Sequence, residues 1–277
     1  MRQVAVLGAG SFGTALSGHL ALAGHQVRLW ARDADLAAEI ERCRENATYL
    51  PGIALPSAVK ATSHLGEALA GSELIVVAVP SHGLRHVMLA ARPHVPRGAT
   101  IVSTTKGLEE GTLLRMSQLL SDAIGDDVPV AVLSGPSFAS EFAKGLPTAV
   151  VVAASDAGTV ALVQDEFRGR LLRLYGSEDV VGVEIGGALK NVIAIAAGVV
   201  EGMGLGPNAQ AALVTRGLAE ITRLASALGG RRETLSAGPR SSGQADRVAG
   251  RGPKAAGGSA RRRNVAARRV RCCRSCQ

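Results

Sequence analysis

Aromatic side chains are scarce in this chain, with one Trp, two Tyr and four Phe among 277 residues. So few rings argue against a reader of single-stranded nucleic acid, which stacks bases on such side chains. Cysteine is scarce too: Cys43 stands alone in the first 235 residues, while Cys272, Cys273 and Cys276 crowd the end. One thiol over that length builds no disulfide framework and fits a reducing compartment. The Cys273 to Cys276 spacing has no second ligand pair to complete a zinc site, and His19, His25, His64, His86 and His94 show no metal spacing, so no metal is expected. A Gly-x-x-x-x-Gly-Lys-Ser/Thr phosphate cradle is missing, which argues against an ATPase. Apolar runs are short. The one around Val192–Val200 follows Lys190 and Asn191, short of the roughly 18 apolar residues that span a bilayer, so a cytoplasmic protein without a transmembrane segment is expected.

What is present divides near Leu235. The chain is 47% hydrophobic and 19% charged, enough apolar material for a buried core. Its net charge of +8 is unevenly spread: residues 236–277 hold ten Arg and Lys254 against Asp246 alone, and residues 1–235 are slightly acidic. Every Leu, Ile, Phe, Met, Trp and Tyr lies in the first part. The last segment, rich in Gly, Ala, Ser, Pro and Arg, offers too little apolar surface to offset the entropy of ordering a core. It reads as a disordered tail, either translated out of frame from a GC-rich gene, the favoured reading, or serving as a basic arm for nucleic acid or anionic lipid.

The first 180 residues alternate apolar runs with helix-like segments. Val4–Leu7, Gln26–Trp30, Leu74–Val79, Thr100–Thr104, Val130–Leu133, Thr148–Ala153 and Leu171–Tyr175 read as strands, most of them without polar alternation. Such runs occur where helices cover both faces of a parallel sheet. The expected architecture is α/β: a doubly wound Rossmann-type parallel sheet over residues 1–180, a truncated all-α substrate domain over 181–235, and the basic tail over 236–277. Glu184–Val200 reads as a buried apolar helix, and Asn208–Leu228 as a second, with Leu213, Leu218, Ile221, Leu224 and Leu228 along one side and Gly229-Gly230 as its stop.

Gly8-Ala9-Gly10-Ser11-Phe12-Gly13 follows the first strand and opens a helix. In that position Gly8 permits the tight turn, Gly10 lets the backbone approach a pyrophosphate, and Gly13 allows close helix–strand packing, while the exposed amides at the helix start hold phosphate. After the second strand comes Arg32 and then Asp33. A guanidinium near the ribose favours NADP through a charge-assisted contact, with NAD as the alternative. Thr104-Thr105-Lys106-Gly107-Leu108 and Ser134-Gly135-Pro136-Ser137-Phe138 stand at strand ends, where ligands bind in open α/β sheets. Lys190 is the one charge between Ile185 and Val200. An ammonium on an apolar helix is costly, and burial moves its pKa towards the range that suits proton transfer. His82, after another strand, reads equally well as structural. Asn46-Ala47-Thr48 has the form of a glycosylation acceptor, irrelevant in the cytoplasm.

Gly8–Leu16, Val79–His82, Thr105–Glu109, Ser134–Phe138, Gly186–Ile193 and Thr215–Glu220, taken in order, closely resemble bacterial NAD(P)-dependent glycerol-3-phosphate dehydrogenases. The resemblance covers residues 1 to about 235. It implies reduction of dihydroxyacetone phosphate to sn-glycerol 3-phosphate for phospholipid synthesis, a phosphorylated small-molecule substrate, no specific nucleic acid, and a homodimer. By the same resemblance Ser11, Phe12, Arg32, Lys106 and Ala139 contact the cofactor, Lys106, Gly135, Ser137 and Lys190 contact substrate, and Lys190 is the general acid/base with Lys106 beside the developing oxyanion. Beyond Leu235 the family's Gly-Leu-Gly-Asp loop and Ser-Arg-Asn phosphate clamp have no counterpart here. Arg263-Asn264 repeats two letters out of context, and reduced turnover is expected. Two other readings stay open: a different 6-phosphogluconate-dehydrogenase-like oxidoreductase acting on a 2-hydroxy or 2-keto acid, and an inactive cofactor-binding module with a basic tail.

Overall fold

The computed structural model describes residues 1–231; the basic tail anticipated over 236–277 lies outside the described residues, as do Arg263 and Asn264. Strand β1 (Gln3–Leu7) leads into α1 (Ser11–Leu22), β2 (Gln26–Trp30) and α2 (Ala34–Cys43). A short hairpin, β3 (Glu45–Asn46) and β4 (Leu50–Ala54), precedes β5 (Val59–Thr62) and α3 (Leu65–Leu69). The chain continues through β6 (Leu74–Val77), α4 (Ser81–Ala91), β7 (Thr100–Ser103), α5 (Met116–Ile124) and β8 (Val130–Ser134). Then follow α6 (Ala139–Ala143), β9 (Thr148–Ala154), α7 (Ala157–Glu166), β10 (Leu172–Ser177) and two long helices, α8 (Val180–Gly202) and α9 (Gly206–Ala227).

Eight strands form one sheet in the order β10-β9-β8-β7-β6-β1-β2-β5. The expected doubly wound sheet is present, with one difference: β9 runs antiparallel to β8, while the other pairs in the sheet are parallel. The apolar runs lack polar alternation because both faces are covered. On β1, Val4 and Val6 enter one core with Leu16 and Leu20 of α1, and Ala5 and Leu7 enter the other with Leu84 and Met88 of α4. Full burial of each such aliphatic side chain stabilises the fold by about 1.5–3 kcal/mol. Register sets the strand ends level: Leu7 lies beside Trp30 and Val77, and Val77 beside Ser103. The loops after β1, β2, β6, β7 and β8 therefore open on one edge, on both sides of the point between β1 and β6 where the strand order reverses.

Short connections are fixed by side-chain caps. Asp33, Asp156 and Asp179 accept from the first-turn amides of α2, α7 and α8, each worth about 1 kcal/mol. Two expectations about the helices need correction. Helix α8 is 23 residues long and, by length and composition, apolar enough to cross a membrane, so Lys190 and Asn191 do not shorten it below spanning length. Here its first turns pack on β8 and β9, and it runs along α9. It is also less buried than its composition implied. Gly182–Ile185 and Gly187 are buried, whereas Val192, Ile195 and Val199 are exposed. On α9 the side facing α8 is Gly217, Ile221 and Ala225, at a spacing of four, and Leu218, Leu224 and Leu228 of the anticipated stripe face outward. Small residues let the two axes approach closely, which the count of large aliphatics misread.

Candidate active site

The glycine turn after β1 has three distinct local geometries. Gly8 has φ +114°, and a Cβ there would lie 2.6 Å from the Ala78 carbonyl oxygen. Only glycine relieves both constraints. At Gly13 a Cβ would fall 1.9 Å from the Gly8 carbonyl oxygen. At Gly10 nothing lies within 4 Å of that position, so the turn leaves open the place where a phosphate group would approach the backbone. Helix α1 starts at this point with no side-chain N-cap and no acidic residue in its first turn, leaving its leading amides and positive dipole end to an anion.

Asn46 secures this turn from outside. It is fully buried, and its Nδ2 donates to the Ala9 carbonyl and to Thr14 Oγ1, both at 2.8 Å, while its Oδ1 accepts from the Tyr49 amide. Ser11 Oγ donates to the Tyr49 carbonyl at 2.6 Å. Sequence reading saw only the form of a glycosylation acceptor; an asparagine just before a run of strand residues carried no sign that it reached back 37 positions.

Lys106 follows β7, half-buried, with its Nζ 5.8 Å from the centre of the Phe12 ring. Burial, and secondarily the charge of Lys190, pull its pKa down to about 8. Lys190 projects from α8, also half-buried, and its Nζ donates to the Gly135 carbonyl at 2.9 Å. Burial lowers its pKa as well. Gly135 has φ +150°, and Ser137 Oγ lies 3.4 Å from the same carbonyl. Gly187 of α8 leaves room for Ser134 Oγ and the Lys106 stem, which a Cβ would meet at 2.4 and 4.0 Å. Three segments distant in sequence thus converge: the loop after β1, which Lys106 reaches at Phe12, and the loops after β7 and β8, both touched by α8. Ala139 begins α6, which packs against α1. Arg32 stands exposed after β2, and among the described residues it makes no ion pair. Neighbouring Asp33 is committed to capping α2. His82 is exposed on the first turn of α4. Two grooves of about 780 and 490 Å³ lie around Arg168–Leu172, and neither is lined by Lys106 or Lys190.

Family models of the N-terminus and C-terminus of NAD-dependent glycerol-3-phosphate dehydrogenase match residues 3–160 and 179–268. The chain belongs to the NAD-dependent glycerol-3-phosphate dehydrogenase family. The protein named glycerol-3-phosphate dehydrogenase [NAD(P)+] of Anaeromyxobacter dehalogenans is 52% identical over 238 residues, which cover 84% of this chain and 71% of the relative. That of Moorella thermoacetica is 51% identical over 229 residues, covering 83% and 68%. A crystal structure of glycerol-3-phosphate dehydrogenase from Coxiella burnetii superposes with a TM-score of 0.81 at 40% identity, over 86% of this chain and 72% of that one. The C-terminal family match runs past Leu235 to residue 268, so it does not stop where the composition changes.

The residues present fit the dinucleotide such a dehydrogenase uses. The open position at Gly10 and the uncapped start of α1 suit a pyrophosphate, and Arg32 is available for a phosphate at the ribose. Among the described residues no cluster of His, Cys, Asp and Glu could hold a metal ion.

Proposed function

We propose that this chain is a cytoplasmic enzyme that reduces dihydroxyacetone phosphate to sn-glycerol 3-phosphate, with NADP(H) as the preferred cofactor and NAD(H) as the alternative. Gly8, Gly10 and Gly13 with Ser11 and Phe12 would seat the cofactor, Arg32 would meet its ribose phosphate, and Ala139 would border it. Bound there, the reduced nicotinamide supplies the hydride. Lys190, Lys106, Gly135 and Ser137 would face the substrate. As negative charge develops on the carbonyl oxygen, the Lys190 ammonium donates its proton there. Lys106 holds fixed positive charge at the same place, an electrostatic contribution that needs no reorganisation during reaction. The observation that carries this reading is the Lys190 contact to Gly135 beside Lys106, because it sets two cations on one edge of the glycine turn with a carbonyl to orient one of them. The homodimer belongs to this proposal, supported by the apolar side chains left exposed on α8 and α9; sedimentation at micromolar concentration tests it.

The enzymatic test is NADPH oxidation with dihydroxyacetone phosphate by the full chain and by Lys190→Met. Removing a positioned acid should lower kcat by roughly 10²–10⁴-fold, with the Kd for NADPH unchanged within about twofold. Equal losses in both would reduce Lys190 to a structural residue, and no turnover of this substrate by the unaltered chain would overturn the proposed reaction.

A further inference from the structure

Glu184 is a buried carboxylate on an otherwise apolar stretch of α8, six residues before Lys190. It is fully engaged by two residues of one segment. Its Oε1 accepts from the Ser117 amide at 2.7 Å, and its Oε2 accepts from Ser117 Oγ at 2.7 Å and from Arg115 Nη1 at 2.5 Å. Arg115 Nη1 also donates to Ser117 Oγ at 2.9 Å, and the Arg115 amide donates to Gln118 Oε1. The partners lie at the entry to α5, which is also the far end of the loop that carries Lys106. That loop is closed on itself: Leu108 bridges Arg115 in antiparallel fashion, and the Glu109 amide donates to the Leu114 carbonyl at 2.9 Å. Its outer side is held by Arg85 of α4, whose Nε and Nη2 donate to Glu109 at 2.6 and 2.8 Å.

One carboxylate therefore joins the base of the Lys106 loop to the helix that bears Lys190. Six residues correspond to about 9 Å of helix rise, so Glu184 fixes the rotation and height of α8 from a point outside the reacting cluster. We propose that Glu184, with Arg115 and Ser117, is a positioning clamp that holds the Lys106 and Lys190 ammonium groups at their working separation. The inference rests on the functional reading above for the roles of the lysines; the clamp itself rests on the contacts. It is needed because the two cations repel at close range and nothing among their described contacts pairs them with an acid. Glu109 on the loop is committed to Arg85 and Glu184 on α8 to Arg115, while Glu110 of the loop is exposed to solvent. That repulsion works against the packing of Leu108 of the loop on the Ile185 cluster of α8, and the clamp offsets it. A misplacement of about 1 Å can cost as much as a hundredfold in rate.

The test uses the full chain without cofactor or substrate. Labelling by acetic anhydride as a function of pH, mapped by mass spectrometry, reads the protonation midpoint of Lys106. In the unaltered protein the midpoint should fall near 8. In Glu184→Gln, which keeps an acceptor for the Ser117 amide but loses the charge that grips Arg115, it should rise towards the ordinary lysine value by about one pH unit, because the lysines move apart and towards solvent. Direct loss of a negative charge predicts the opposite sign, so a fall in the midpoint overturns the clamp, as does an unmoved midpoint. Ser117→Ala removes the hydroxyl's bonds to Glu184 and from Arg115 but keeps the Arg115–Glu184 ion pair and the Ser117 amide contact, and should shift the midpoint in the same direction by less. It decides the matter if Glu184→Gln does not fold, and an unmoved midpoint in it would then refute the proposal. With turnover as the second readout, Glu184→Gln should lose tenfold or more in kcat at an NADPH Kd within about twofold of the parent. Failure of the parent to turn over dihydroxyacetone phosphate would refute the proposed reaction while leaving the labelling result to judge the clamp.

Discussion

Replacing Gly10 and Gly13 separately by alanine separates cofactor seating from folding, because the two positions differ sharply in the space around them. Gly10 has φ −73° and ψ −179°, extended backbone that alanine adopts freely, and its added methyl would meet nothing within 4 Å. Two small effects then oppose each other. Alanine restricts the unfolded chain, which stabilises by about 0.4–1 kcal/mol, and it is a poorer N-cap than glycine by a similar amount. The melting temperature of Gly10→Ala should stay within about 2 °C of the parent. The methyl occupies the face a pyrophosphate needs, and a weakening of about 1.4–2.8 kcal/mol corresponds to a 10- to 100-fold higher Kd. Gly13→Ala behaves differently. Its methyl would lie 1.9 Å from the Gly8 carbonyl oxygen and 3.1 Å from Ala78 Cβ, so α1 must move off the sheet. Overpacking of this kind costs about 1–3 kcal/mol, or roughly 2–12 °C in a chain of this size. Thermal melts and NADPH fluorescence titration of both variants give the four numbers needed. If Gly10→Ala binds NADPH like the parent, the turn does not seat a pyrophosphate, and the cofactor assignment fails.

Arg32→Ala removes a guanidinium that no described carboxylate occupies, so the Kd for NADPH should rise about 10- to 100-fold, the loss expected of a charged hydrogen bond, while the Kd for NADH stays within about twofold; equal losses would show that Arg32 does not read the ribose phosphate. Asn46→Ala leaves the Ala9 carbonyl and Thr14 Oγ1 without their buried donor, and unfolding by urea should report a loss of about 1–3 kcal/mol together with weaker NADPH binding. The depressed pKa of Lys106 makes stability depend on pH in a defined window. Between about 8 and 10.5 the unfolded chain holds a proton that the folded chain has released, so this group's contribution to unfolding free energy rises with pH across that window and is flat below it. Lys106→Met should lack that rise in urea titrations taken on either side of the window.

The fold was legible because its strands are buried on both faces. Val4–Leu7 and Leu74–Val77 contain no polar residue, and their shortness, their valine and isoleucine content and the Gly8 and Pro80 that follow decide for a strand over a buried helix. The reversed direction of β9 was not legible: Thr148–Ala154 is as apolar as its neighbours, and direction depends on how the chain returns after α6. The stripe on α9 was only partly right: Ile221 is buried as anticipated, but it shares the interface with the small Gly217 and Ala225, while Leu218 and Leu224 face outward. At the site, Lys106 and Lys190 stood out as charges at strand ends or on apolar surroundings. Asn46 and Glu184 did not, because each acts through partners 32 to 69 positions away. A carboxylate just outside the stretch in which Lys190 is the sole charge was the available signal for Glu184.

These two groups of residues divide the work by polarity of contact. The lysines are left with few partners: Lys190 has a carbonyl and Lys106 an aromatic face, neither of which neutralises a cation. Of the carboxylates nearby in sequence, Glu110 lies exposed to solvent, and Glu109 and Glu184 are gripped by arginines that hold them away from the lysines. Had either acid been free to turn inward, it would have formed an ion pair with an ammonium and spent the positive charge before any ligand arrived. Arginine suits that restraining task because its planar guanidinium offers several donors in fixed directions and stays charged at any physiological pH. Lysine suits the other task because its pKa responds to burial. The arrangement therefore keeps positive charge uncompensated at the sheet edge, which favours an anionic ligand and the negative charge that develops on a carbonyl oxygen as it is reduced.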